Sequence, residues 1–294
     1  MSLVALSLTG AATRGLAAGD PATLAALDEA HDTGAAHLLL LGADSLGTRR
    51  GPAPVARAID PVAVAVARHA RFPRWGFLAV AAPTRDHPYN LARRVLGAWH
   101  LTGGRLGVVL VDDDPGLPLE HGTAIPWLPG TPPGAEVTTE AARVLRALWN
   151  SWPAGTIVGD RERGVYAHVD GVRRVGHEGR YRIAGPLGTP ASEHGEPVLG
   201  TADPRGEAGW AELVIRGDAI ETCGAGAGRV ATDGVVTGRV VTVSTDADVP
   251  REPSPHDADA GRGETIGGLR TVLGLPPRVL DLSDHSPHLK EARW

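Results

Sequence analysis

"DHPYNLARRVLGAWHLTGGR" (86–105), followed directly by "LGVVLV" (106–111), is the stretch on which the fold turns. Pro88 fixes φ and lacks an N–H, so it suits the first turn of a helix, and Asn90 is expected to satisfy that turn's free amides. Leu91, Val95 and Trp99 recur at i, i+4 and i+8, which predicts one buried helical face. Gly103 and Gly104 are a stop signal, and after Arg105 the apolar run predicts a strand covered on both faces. Upstream, "WGFLAVAAP" (75–83) has the same unbroken apolar character. Strand, loop, helix and strand in that order predict two parallel strands joined by a helical crossover.

Outward from there the pattern repeats. "LVALSLTG" (3–10) and "HLLLLGAD" (37–44) predict two more strands, and Asp20-Pro21 and Asp60-Pro61 two more helix starts. Four strand–helix alternations imply a parallel sheet, open or closed into a barrel. A Pro/Gly-rich polar insert follows at about 115–135, then a helix over "TTEAARVLRALWNSW" (138–152) and a turn-rich stretch over 153–195. "PVLGTAD" (197–203) predicts a buried strand, and 210–224 a short helix leading into a strand. The alternating "GRVVTVSTD" (238–246) is followed by a polar segment at 246–264 that is expected to be mobile. "GGLRTVLGLPPRVLDLS" (267–283) predicts a last helix and strand.

The 294 residues suffice for a full-sized core, and a net charge of −5 argues against a nucleic-acid partner. Arginine replaces lysine almost throughout, Lys290 being the exception, which reflects genome composition rather than phosphate recognition. The lone Cys223 leaves no internal disulfide and no multi-cysteine metal site. No apolar run reaches the roughly 18–20 residues that span a bilayer. The opening residues predict a first strand rather than a signal peptide. The expectation is a cytoplasmic protein with no membrane partner.

Parallel α/β sheets and barrels carry chemistry at the C-terminal ends of their strands, which singles out Thr9, Asp44, residues 82–90, Asp112–Asp114 and the loop after Thr201. "RDHPYN" (85–90) is the richest, with the His87 imidazole, the Tyr89 phenol and the Asn90 amide. On pattern alone, a plain helix start accounts for it better than a site does. "VDDDPG" (111–116) suits a solvated acidic turn better than a cation site, and no metal is expected. "CGAGAGRV" (223–230) is followed by no helix on which a phosphate would sit. "DHSPH" (284–288) fits a surface segment.

Three segments in one register resemble a known family. They are "IDPVAVAVARHARFPRWGFLAVAAPTRDHPYNLARRVLGAWHLTGGR" (59–105), "VLRALWNSWPAGTIVGDRERGVYAHVDGVRRVGHEGRYRIAGPLGTP" (144–190) and "HGEPVLGTAD" (194–203). Their His-Pro-Tyr-Asn, Gly-Gly-Arg, Leu-Trp-x-Ser-Trp, His-x-Gly-x-Tyr, Gly-Pro-Leu and Gly-x-Pro-Val elements are similar to the bacterial luciferase-like flavin-dependent monooxygenases. The branch resembled is that of the nitrilotriacetate, EDTA, dibenzothiophene-sulfone and pristinamycin-type enzymes. The likeness implies a TIM-type (β/α)₈ barrel, here one domain over residues 1–294, abbreviated or incomplete in its C-terminal third. It implies reduced FMN supplied by a separate NAD(P)H-dependent flavin reductase, oxygenation of a small organic substrate, and a homodimer or heterodimer.

By the same resemblance His87 and Tyr89 take the catalytic positions, and Ala82, Asn90, Ala202, Arg205 and Gly206 the cofactor-binding ones. Two departures stand out. The family's Trp-Asn pair on the fourth strand is replaced by Val108 and Val109, and its Gln-Ala-Gly-Ser-Ser phosphate loop by Thr201-Ala202-Asp203-Pro204-Arg205. The expected function is an FMN-dependent two-component monooxygenase or oxidoreductase. The alternative is a degenerate barrel that has lost FMN binding and serves as a binding or accessory subunit.

Overall fold

The structure, a computed structural model, describes residues 3–8, 10–42, 59–112, 127–128, 130–202, 208–216, 219–222, 237–243, 268–276, 278, 280–282 and 284–285. The first half alternates as the sequence predicts: β1 (Leu3–Leu8), α1 (Gly10–Ala18), α2 (Pro21–Thr33), β2 (Leu38–Leu41), α3 (Pro61–Arg68), β3 (Gly76–Ala81), α4 (Pro88–Leu101) and β4 (Leu106–Leu110). Three of these helices begin on one device, an acceptor followed by proline. The Asp20, Asp60 and His87 side chains accept the amide N–H groups of Thr23, Val62 and Tyr89 at 2.8, 3.0 and 3.2 Å. Helix α1 was not anticipated, because no acceptor-proline start of the kind at Asp20-Pro21 and Asp60-Pro61 opens its Gly- and Ala-rich sequence.

Next come α5 (Ala135–Asn150), two short antiparallel ribbons, then β9 (Leu199–Ala202), β10 (Leu213–Arg216), β11 (Ala219–Thr222), β12 (Thr237–Val243) and α6 (Leu269–Val272). The ribbons pair β5 (Ile157–Asp160) with β6 (Val165–Ala167) and β7 (His177–Glu178) with β8 (Arg182–Ile183). The other eight strands close into a barrel in the order β1-β12-β11-β10-β9-β4-β3-β2. Neighbours are parallel all round the ring except at β11, which is antiparallel to both β10 and β12. The reason is chain length. Only residues 217 and 218 separate β10 from β11, enough for a hairpin and not for a crossover. The C-terminal third is therefore abbreviated, and the helix expected within 210–224 gives way to this strand pair. Likewise 267–283 contributes α6 and, among the described residues, no strand.

The barrel is sealed at the N-terminal ends of its strands. Leu269 is fully buried, and its amide donates to the Gly104 carbonyl at 2.7 Å. Its side chain occupies the space that side chains on β3 and β4 would fill: a Cβ on Gly107 would lie 2.9 Å from Leu269 Cδ2, and one on Gly76 2.5 Å from Cδ1. Arg105, also buried, donates to the carbonyls of Thr102, Phe72, Pro73, Trp75 and His69 at 3.0–3.3 Å. Arg146 and Arg270 bind Glu212, while Arg146, Arg278 and Asn150 bind Glu196. These bonds join α5, the approaches to β9 and β10, and α6 across one buried polar layer.

The segment after α5 is fastened in the same way. The Trp149 indole donates to the Ala92 carbonyl of α4 at 3.1 Å, and Ser151 Oγ accepts the Leu187 N–H at 2.9 Å. Much of the Leu-Trp-x-Ser-Trp and Gly-Pro-Leu likeness thus lies in residues that tie this segment to the barrel.

Candidate functional site

The opening stretch of the sequence reaches both ends of the barrel. Because β3 and β4 are parallel neighbours, α4 must carry the chain back, which leaves Gly103-Gly104-Arg105 at the sealed end and His87 at the C-terminal end of β3. There the chain turns sharply, with the Arg85 and Asp86 amides both donating to the Ala82 carbonyl at 3.0 Å. Asp86 is nearly buried and accepts from Arg94 at 2.9 Å, while Arg94 also lies 3.2 Å from Asp60. Carboxylates and guanidinium thereby lock the loop onto the starts of α3 and α4.

His87 is half-buried, and burial holds its pKa below the usual imidazole value. Its Nδ1 accepts the Tyr89 N–H, so in the neutral ring the proton sits on Nε2, which makes that atom a donor. Two rings meet it edge-on, Trp127 at 5.9 Å and Tyr181 at 6.3 Å between centroids. Tyr89 packs against the core and directs its hydroxyl to the Pro186 carbonyl at 3.4 Å.

Around this group lie buried polar atoms with no hydrogen-bond partner among the described residues: Thr84 Oγ1, Trp127 Nε1 and Tyr181 Oη. Such atoms are uncommon in a folded interior, since each carries its full desolvation cost. Burial also pushes the Tyr181 phenol well above its ordinary pKa, which keeps it protonated and a donor. Its backbone is fixed from α5, where Glu140 accepts the Tyr181 N–H at 3.0 Å, His177 Nε2 at 2.9 Å and Arg180 at 3.3 Å. Burial raises the Glu140 pKa, but these hydrogen bonds outweigh it and hold the carboxylate below its usual value.

The sequence-derived residues separate into three groups. His87, Tyr89 and the fully buried Ala82 come together at the end of β3. Ala202 closes β9, nearly buried, whereas Asn90 is exposed on α4. Arg205 and Gly206 lie outside the described residues, as do Thr9, Asp44, Asp113, Asp114 and the 246–264 segment. Val109, the departure on β4, pairs in register with Val80 and Gly200 and is fully buried. An apolar patch thus stands where the resembled family has an amide. Sequence reasoning missed Trp127, which lies in the stretch read as a polar insert but packs against the core beside buried Leu128. It assigned no role to Thr84 or Tyr181, although Tyr181 closes the His-x-Gly-x-Tyr element that marks the place.

No family model matches the chain. It is 32% identical over 173 residues to a dibenzothiophene-sulfone monooxygenase of Rhodococcus erythropolis, covering 54% of this chain and 36% of that protein. It is 29% identical over 151 residues to one component of the pristinamycin IIA synthase of Streptomyces pristinaespiralis, covering 50% and 47%. The structure resembles that of the EDTA monooxygenase of Chelativorans sp. BNC1 with a TM-score of 0.53 and 23% identity, covering 73% of this chain and 53% of that one. The chain spans less than half the length of either of these curated relatives. Among the described residues, no helix is long and apolar enough to cross a membrane.

Proposed function

We propose, from the premise that the homologues and structural neighbours of this chain are luciferase-like monooxygenases, that it is an FMN-dependent two-component monooxygenase or oxidoreductase acting on a small organic substrate. The observation that carries the reading is the cluster at the C-terminal end of β3, where barrel enzymes hold their chemistry. There Trp127 and Tyr181 flank the His87 imidazole edge-on, and they and Thr84 in the same loop region carry buried polar atoms with no partner among the described residues. That donor set suits a planar, acceptor-rich ring such as an isoalloxazine.

When bound, reduced FMN supplies the electrons that activate dioxygen. The chain's own residues supply placement. His87 presents Nε2–H as a donor to an oxygen in the site, and Tyr89 shapes the wall beside it. Ala82, Val80 and Val109 provide a small apolar surface that excludes water and leaves room for the ring. Ala202, Arg205 and Gly206 would receive the phosphate; an arginine supplies there the charge that a serine-rich loop would not. In this reading one barrel domain works with an NAD(P)H-dependent flavin reductase in the cytoplasm, as a homodimer or heterodimer.

The test is a titration of the purified chain with oxidised FMN, and anaerobically with reduced FMN, followed by flavin fluorescence and absorbance. Saturable binding of the reduced form is expected. Failure of both forms to bind at high micromolar flavin would overturn the proposal. In the same assay Arg205→Ala should weaken FMN far more than riboflavin, and equal losses would remove Arg205 from the phosphate site.

A further inference from the structure

We infer that the Tyr181 hydroxyl is a ligand-contacting donor, one that hydrogen-bonds an acceptor atom of the bound flavin ring rather than any group of the protein; this rests on the flavin reading above. Tyr181 is 2% exposed, yet Oη has no hydrogen-bond partner among the described residues. A buried phenol normally finds one. The ring packs in the core and stands edge-on to His87 at 6.3 Å, and its backbone is tied to Glu140. Glu140 is itself held by His177 and Arg180, and Gly179 lets it approach, since a Cβ there would lie 2.4 Å from Glu140 Oε1. The hydroxyl is thus rigidly placed while its hydrogen-bonding capacity is left open. The Trp127 Nε1–H, on the other ring that meets His87, likewise has no partner among the described residues and gives the same wall a second donor.

Tyr181→Phe separates this role from a structural one, because it removes only the oxygen. In the flavin-free protein the hydroxyl is a buried polar group with no partner among the described residues, so the variant's thermal midpoint should be unchanged or a few degrees higher. Affinity should move the other way, weakening about three- to tenfold, the size of one neutral hydrogen bond. The loss should be equal for FMN and riboflavin, since a ring contact does not involve the phosphate.

A lower midpoint in the flavin-free variant would show that the hydroxyl has a structural partner and would overturn the inference. So would unchanged affinity for both flavins, or a loss confined to FMN. If the wild-type chain binds neither flavin, the flavin reading itself fails and takes this inference with it. Wild-type binding that Tyr181→Phe leaves intact removes this inference alone.

Discussion

The two ends of the barrel bury polar groups in opposite ways. At the N-terminal ends of the strands, Arg105 is spread over five carbonyls, and Glu196 and Glu212 each bind two guanidinium groups. At the C-terminal end of β3, Thr84, Trp127 and Tyr181 keep donors without partners among the described residues. A buried polar group stabilises a fold only when its bonds are made, so the first end holds the chain together. The second end carries a local cost that a ligand would relieve. Single atoms such as Arg146 Nε and Trp99 Nε1 also lack partners among the described residues, so what marks the second end in this contrast is the grouping of three such side chains near one imidazole.

The sharpest way to break it is at the sealed end. Glu212→Ala leaves Arg146 and Arg270 buried without their shared carboxylate and should cost about 3–5 kcal/mol in denaturant unfolding. A loss under about 1 kcal/mol would mean that the layer is not a buried ionic network. Gly107→Ala probes the plug. The new methyl meets Leu269 and the Val198 carbonyl at 2.9 and 3.0 Å and should cost about 1–3 kcal/mol. No change in the thermal midpoint would place α6 away from β4.

The open end responds differently. His87→Ala removes the cap of α4 and should cost about 1 kcal/mol, whereas His87→Asn keeps a capping acceptor and should stay within about 0.5 kcal/mol. Both should abolish the site's function, measured as substrate turnover with reduced FMN supplied. An active His87→Asn enzyme would confine the residue to capping.

The smallest effect is on pH dependence. Burial depresses the pKa of both His31 and His87 below the ordinary value of 6.5, so in that window the unfolded chain binds more protons than the folded one. Stability therefore falls as pH drops from about 6.5 toward the depressed folded values. Thermal midpoints recorded across that range should decline, and less steeply in His87→Asn. An identical slope in that variant would mean that burial does not hold the His87 ring neutral.

Much of the fold was legible because its signals are local. An acceptor before proline announced α2 and α3, Pro88 and an apolar stripe announced α4, and unbroken apolar runs announced β1 to β4 and β9. That His87 rather than Asn90 caps α4 came from the structure. The 210–224 region misled because "WAELVIRGDAIETC" suits a helix as readily as a strand pair when periodicity alone is consulted. The site was half-legible. His87 and Tyr89 stood out as chemistry-bearing residues at a strand end, but Trp127 sits between stretches with no periodic pattern. Tyr181 lies in another segment entirely and meets His87 only through the packing of α4 against α5.

The sequence by itself determined where α2, α3 and α4 start, which runs of the first half are buried, and that strands and helices alternate there, because these signals depend on a few adjacent residues. Tertiary structure alone decided that the ring closes through one antiparallel strand and that Leu269 plugs it between two glycines. It also decided which buried donors have no partner among the described residues, since satisfying a hydrogen bond depends on atoms brought together from across the chain.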